Sequence, residues 1–214
     1  MEAGFWHKKW VEGDIGFHEQ QGNPSLREHF GKLQMAAGAR VFLPLCGKTR
    51  DIAWLLDEGY RVTGAELSEL AIKALFEELG LVPEITNTDK HVCYQSRNLR
   101  IFVGDIFDVS AKQLGPIDAI YDRAALVALP MEMRARYAAH LIDITDAAQQ
   151  LLITYEYDQQ LMNGPPFSVH ADEVKRLYSV AYDVRSLETH VVPGGLRGKI
   201  PATETVWALQ MAHC

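Results

Sequence analysis

The sequence has no run of about 18 apolar residues, and its first ten residues, MEAGFWHKKW, hold a Glu and two Lys but no apolar segment. Neither membrane insertion nor export is signalled, so a cytoplasmic protein is expected. Cysteine is scarce: Cys46, Cys93 and Cys214 are an odd number without C-x-x-C spacing. This speaks against a disulfide framework or a zinc site and fits a reducing compartment. Lys and Arg number 21 against 28 Asp and Glu, a net charge of −7, and they are nowhere concentrated. Nucleic acid and anionic membranes bind through clustered cations, so neither is expected as a partner. The eight histidines lack metal-ligand spacing, and no metal is expected. Repeats, low-complexity tracts and linkers are also missing.

What remains is a chain of 214 residues, 48% hydrophobic and 23% charged, the balance of a soluble globular protein. At about 150 residues per domain this is read as one domain, 1–214, and a monomer is expected. Asn23-Pro24 reads as an N-cap with Pro at N1, opening a helix over 24–37. The apolar run 40–45 reads as a buried strand, 51–58 as a helix stopped by Gly59, and 60–67 as a second strand. Ser68 caps an amphipathic helix that ends at Gly80. Strands follow at 99–103, 117–121 and 151–157, with helices over 130–148 and 170–179 and two closing strands at 184–191 and 204–211. Such alternation predicts a mostly parallel α/β sheet of seven strands with helices on both faces and one antiparallel pair at an edge. Ligands in these sheets sit beyond the carboxyl ends of the strands, so the residues following Leu45, Leu67, Val103 and Tyr121 are where chemistry is sought.

Gly47-Lys48-Thr49 after the first strand invites a phosphate-loop reading and a nucleotide hydrolase. A phosphate loop needs another Gly ahead of Gly47 with four residues between the two, but this region holds Leu43-Pro44-Leu45 and no such Gly, and Pro lacks an amide donor. Lys48 is read as a solvated helix-start lysine. Glu66 ends the second strand, 21 residues after Leu45, where a carboxylate in nucleotide-binding units accepts both ribose hydroxyls. The dinucleotide signature G-x-G-x-x-G is absent, so a cofactor with ribose and adenine but no phosphate fits better. This points to S-adenosylmethionine. Ile106, in Gly104-Asp105-Ile106-Phe107-Asp108, would face its adenine. Arg123 after the fourth strand is either a structural partner of Asp122 or an anchor for a carboxylate or an anionic acceptor. Ahead of the first helix lie Trp6, Trp10, Phe17 and His18. Trp6 is expected to staple a short helix to the core, while Trp10 and Phe17 would cover a pocket, making 1–23 an arm over the active site.

Taken together, W-x-x-x-W with F-H (Trp6, Trp10, Phe17, His18), R-V-F-L-P-L-C-G-K, G-A-E-L-S-E, D-I-F-D, D-R-A-A-L-V-A and G-P-P-F resemble the thiopurine S-methyltransferase family of the shorter bacterial kind. The resemblance covers nearly the whole chain. It implies a Rossmann-like class I S-adenosylmethionine-dependent methyltransferase acting on thiopurines or related aromatic thiols, and on selenium or tellurium compounds. It further implies cofactor contacts from Trp10, Leu45, Glu66, Ile106 and Arg123, and acceptor contacts from Phe17, Pro165, Pro166 and Arg197. Arg123 and Asp14 are the candidate catalytic residues, Asp14 as a polar contact to the acceptor. A non-catalytic cofactor-binding protein is the further alternative to the hydrolase.

Overall fold

A computed structural model describes residues 3–15, 19–88 and 90–212. Its centre is strand β1 (Arg40–Pro44), in which Val41 and Leu43 point to one face of the sheet and Phe42 to the other. That two-residue period follows from the pleat, and because both faces are covered the segment reads as an unbroken apolar run. Beside it lie β2 (Arg61–Glu66) and β6 (Ala119–Arg123), flanked in turn by β5 (Leu99–Val103) and β7 (Gln149–Glu156), all parallel. The outer positions belong to two antiparallel hairpins, β3 (Glu84–Asn87) with β4 (Val92–Ser96), and β8 (Tyr182–Val191) with β9 (Thr203–Met211). The full order is β3-β4-β5-β2-β1-β6-β7-β9-β8.

The seven expected strands are all present, and the closing antiparallel pair lies at an edge as anticipated. The sheet nevertheless has nine strands. The two extra ones form the β3/β4 hairpin, whose outer strand Glu-Ile-Thr-Asn is exposed at every position. With no face buried, it carries no apolar period to read.

Helices α3 (Asp51–Asp57) and α4 (Glu69–Glu78) cover one face with α2 (Pro24–His29), and the short α5 (Ala111–Leu114), α6 (Met131–Thr145) and α7 (Ala171–Tyr178) cover the other. Asn23 caps α2 by accepting from Ser25 N at 2.9 Å, and Ser68 caps α4. The expected helix 24–37 is shorter than foreseen: it passes into a 3-10 turn, Phe30–Leu33, and stops at Gln34, which takes a left-handed conformation. A further helix, α1 (Ala3–Glu12), occupies the N-terminal arm. Among the described residues, the apolar clusters on the two faces include nothing from this arm. No helix among them is long and apolar enough to cross a membrane.

Between β1 and β6 the chain order reverses: from β1 it steps outward through β2 to β5 and returns to β6 on the opposite side. A cleft opens beyond the carboxyl ends at such a reversal.

Candidate active site

A cavity of about 590 Å³ fills that cleft, a size that suits a nucleoside-sized ligand with a small second reactant. Its wall includes Trp10, Asp14, Leu45, Glu66, Ile106, Arg123, Pro165, Pro166 and Arg197, so nine of the ten expected site residues converge there. The tenth, Phe17, lies outside the described residues, as does His18.

At the β2/β5 end the groups are set by the turns that follow each strand. Leu45 takes a left-handed backbone (φ +47°) and Gly47 another (φ +52°), which curls the chain back over the end of β1. Gly47 N–H then donates to Glu66 Oε2 at 2.8 Å, and Ser68 N–H donates to Glu66 Oε1 at 2.8 Å. Burial raises the Glu66 carboxyl above its ordinary range, against the pull of the Ser68, Gly47 and Leu67 amides. A carboxylate has about four acceptor positions, so the backbone amides leave capacity for a diol in the cavity. Close approach here depends on glycine: a Cβ on Gly64 would lie 2.7 Å from Ile101 Cδ1 and 2.9 Å from Cys46 Sγ. Ile106 opens a 3-10 turn capped by Asp105, and His140 Nε2 donates to the Ile106 carbonyl at 2.8 Å. Glu66 and the apolar Ile106 flank a space suited to ribose and adenine, so the residues fit S-adenosylmethionine.

The Gly47-Lys48-Thr49 triplet forms no phosphate loop. Gly47 N–H is already used by Glu66, and Lys48 Nζ pairs with Glu78 Oε1 at 2.6 Å. Lys48 is therefore not the solvated lysine expected, but a partly buried tie between the β1 turn and α4.

The β6/β7 end is assembled from distant segments. Arg123 ends β6 with its side chain largely buried, and it pairs with Glu19 from the segment before α2. Burial works against its charge, but Tyr155, Glu19, Tyr121 and Asp51 outweigh that and raise its pKa. Asp122 is not its partner, because successive strand residues face opposite ways. Asp122 is fully buried on the α6 side, accepting from Leu126 N at 3.0 Å and Tyr137 OH at 2.8 Å, and burial pushes its carboxyl up to about 6. Opposite Arg123, Arg197 Nη2 donates to the Pro165 carbonyl at 3.0 Å, and Tyr157 OH donates to that of Pro166 at 2.6 Å.

Described residues of the arm line the cavity. Trp10 is buried, and Asp14, at the rim, pairs with Lys9, whose hydrogen bond and charge hold its carboxyl below the usual range. Trp6 is not a core staple: it lines the cavity and meets Phe5 edge-on at 5.3 Å. Glu19 and Tyr155 are wall residues that sequence reasoning missed. Tyr155 is one apolar-looking position in a strand, and Glu19 is an isolated acid in a loop, so neither leaves a local signal. Glu28, His29 and Glu188 also gather, none of them part of the cavity wall, but both His29 ring nitrogens are engaged, by Glu188 and Lys32.

The carboxylate behind the β1 turn and the cavity at the strand reversal define an S-adenosylmethionine-dependent methyltransferase. The profile of the Thiopurine S-methyltransferase (TPMT) family matches residues 1–200. The chain is 56% identical over 213 residues to a Xanthobacter autotrophicus thiopurine S-methyltransferase, covering 99% of this chain and 100% of that one. It is 50% identical to one from Teredinibacter turnerae, covering 98% and 97%. Among solved structures, a Burkholderia thailandensis 1,6-didemethyltoxoflavin-N1-methyltransferase holding S-adenosylhomocysteine superposes with a TM-score of 0.67 at 16% identity, over 98% of this chain and 87% of that one. A TehB-like S-adenosylmethionine-dependent methyltransferase from Corynebacterium glutamicum superposes with a TM-score of 0.57 at 13% identity, over 97% and 98%. These two likenesses concern the fold. The chain belongs to the thiopurine S-methyltransferase family, and neither the hydrolase nor the non-catalytic alternative is supported.

Proposed function

We propose that the acceptor is the sulfur of a thiopurine or a related aromatic or heterocyclic thiol, and that selenium and tellurium compounds are taken by the same pocket. The names of the relatives support the thiopurine class. The observation that carries the reading is the division of one cavity, with the amide-held carboxylate of Glu66 at one end and a proline-walled end holding Arg123 at the other.

S-adenosylmethionine supplies an electrophilic methyl group on a sulfonium and, when bound, would give it to the acceptor sulfur, which becomes a thioether, with S-adenosylhomocysteine as the co-product. Glu66 would hold the cofactor's ribose and Ile106 its adenine, and Leu45 and Trp10, which also line the cavity, would flank it. Pro165 and Pro166 form the acceptor wall, and Arg197 braces it. Heterocyclic thiols are substantially ionised near neutral pH, so the thiol proton leaves to solvent beforehand. This suits the wall, which among the described residues has no histidine and whose Tyr155 and Cys46 are both pushed above their ordinary pKa by burial. Catalysis then rests on orientation and on exclusion of water, with residues 1–23 acting as a cover. Asp14 contacts the acceptor from the rim. The protein is read as a single-domain cytoplasmic monomer.

The test is incubation with methyl-labelled S-adenosylmethionine and a panel of thiopurines, aromatic thiols, aliphatic thiols and selenium compounds, with product masses measured. Labelled S-methyl products from the heterocyclic thiols are expected. Arg123→Lys keeps the charge but loses the planar fork, and should lower kcat/KM for them by about tenfold. Absence of transfer to every aromatic thiol, in a protein that binds S-adenosylhomocysteine, would overturn the reading.

A further inference from the structure

Arg123 carries a cation into the acceptor end of the cavity, but that cation is already covered. Glu19 pairs with it directly, and Glu19 also faces the carboxyls of Asp51 and Glu204. Of these three acids only Glu19 lines the cavity. Asp51 is buried beneath, accepting from Tyr121 OH at 3.0 Å, and Glu204 is buried behind Tyr155.

The placement of Glu19 is built in. Asn23 N–H donates to Asp51 Oδ1 at 2.6 Å, which fixes the segment just after Glu19 against the start of α3. Gly22 has φ +73°, and a Cβ there would lie 2.8 Å from Asp51 Oδ1, so only glycine lets the chain pass so close. Asn23 then caps α2. Glu19 is thus brought to Arg123 by a short anchored segment and remains the most exposed of the three acids.

An anionic group on the acceptor therefore meets a neutralised guanidinium with acids behind it. We propose that Glu19 is a specificity-determining residue: it occupies the place on Arg123 that an acceptor carboxylate would take, so the enzyme favours aromatic thiols without a second negative charge. An acceptor carrying a carboxylate must displace Glu19, while a neutral ring leaves the pair intact. This rests on the proposed transfer to aromatic thiols.

The test compares 4-mercaptobenzoate with 4-methylbenzenethiol, acceptors of similar shape that differ by one carboxylate. Glu19→Gln should raise the ratio of kcat/KM for the first over the second by about fivefold, the scale of one partly exposed charge pair. Glu19→Ala should move the ratio the same way, which guards against a folding defect in either variant. Calorimetry with the unreactive 4-methylbenzoate, in the presence of S-adenosylhomocysteine, should show tighter binding to Glu19→Gln. An unchanged or reduced ratio would overturn the proposal, as would a gain confined to S-adenosylhomocysteine affinity, because Arg123 would then serve the cofactor's carboxylate. A wild-type protein that methylates neither thiol would defeat the functional reading instead, and benzoate binding would still decide the role of Glu19.

Discussion

At the β2/β5 end of the cavity, each inward group is set by its own strand or by the turn that follows it; at the β6/β7 end, the wall comes from segments far apart in the chain. Glu66 is held by Gly47 and Ser68, 19 and 2 residues away, through backbone amides. Arg123 is held by Glu19, 104 residues away, and Arg197 reaches Pro165 across 32. Backbone amides in a parallel sheet present the same geometry whatever the neighbouring side chains, so the first end is rigid and generic. Side chains from separate loops can be exchanged one at a time, so the second end is where members of a common fold can differ in acceptor.

The largest effect that would sharpen this contrast is expected from removing residues 1–20. The apolar clusters under the sheet include nothing from the arm among the described residues, so the protein should still melt cooperatively. Turnover should fall at least about a hundredfold, since the cover and Glu19 are both lost and reacting groups are misplaced. S-adenosylhomocysteine affinity should drop only about tenfold, for the loss of one buried aromatic, Trp10. Equal losses in both would break the contrast by making the arm part of the cofactor end.

Next in size, Glu66→Ala should cost about 1.5 to 3 kcal/mol of cofactor affinity, the range for hydrogen bonds to a charged group, measured by calorimetry. The wild type should show the same dependence through pH. The ionised carboxyl is the form that accepts two hydroxyls, and burial raises its pKa. Affinity should therefore be full above that raised value and fall as pH drops through it, a decline absent from Glu66→Ala. Unchanged binding in the variant would remove Glu66 from the site.

The smallest effect is expected at Lys48. Lys48→Ala leaves Glu78 still paired with Arg50 at 3.4 Å, so methyl transfer should stay within about threefold of wild type, in line with the small worth of surface ion pairs. Magnesium-dependent binding of ATP, lost on this substitution, would revive the phosphate-loop reading.

Much of this was legible before any coordinates. The buried strands announced themselves because each covered face needs apolar residues at a fixed period, and Glu66 stood out because β1, its turn, α3 and β2 have nearly fixed lengths. The caps at Asn23 and Ser68 were local chemistry. The β3/β4 hairpin was silent, since its outer strand buries nothing. The end of α2 was misread because the apolar spacing of Leu26, Phe30 and Leu33 continues through a 3-10 turn as it would through a helix. Lys48 reads as solvated in the sequence because Glu78, its partner, lies 30 residues on.

The sequence by itself determined the alternation of strands and helices, the parallel centre of the sheet, and the carboxylate beyond β2, because all of these follow from short-range periodicity and steric preference. Only the tertiary structure decided that Asp122 turns to Tyr137 while Arg123 turns to Glu19, that Tyr155 and Glu204 stand behind that pair, and that Trp6 faces the cavity. Those choices depend on which remote group occupies each side of a strand. In a buried site the partner that neutralises a charge is fixed by proximity in space, and proximity in space leaves no period in the chain.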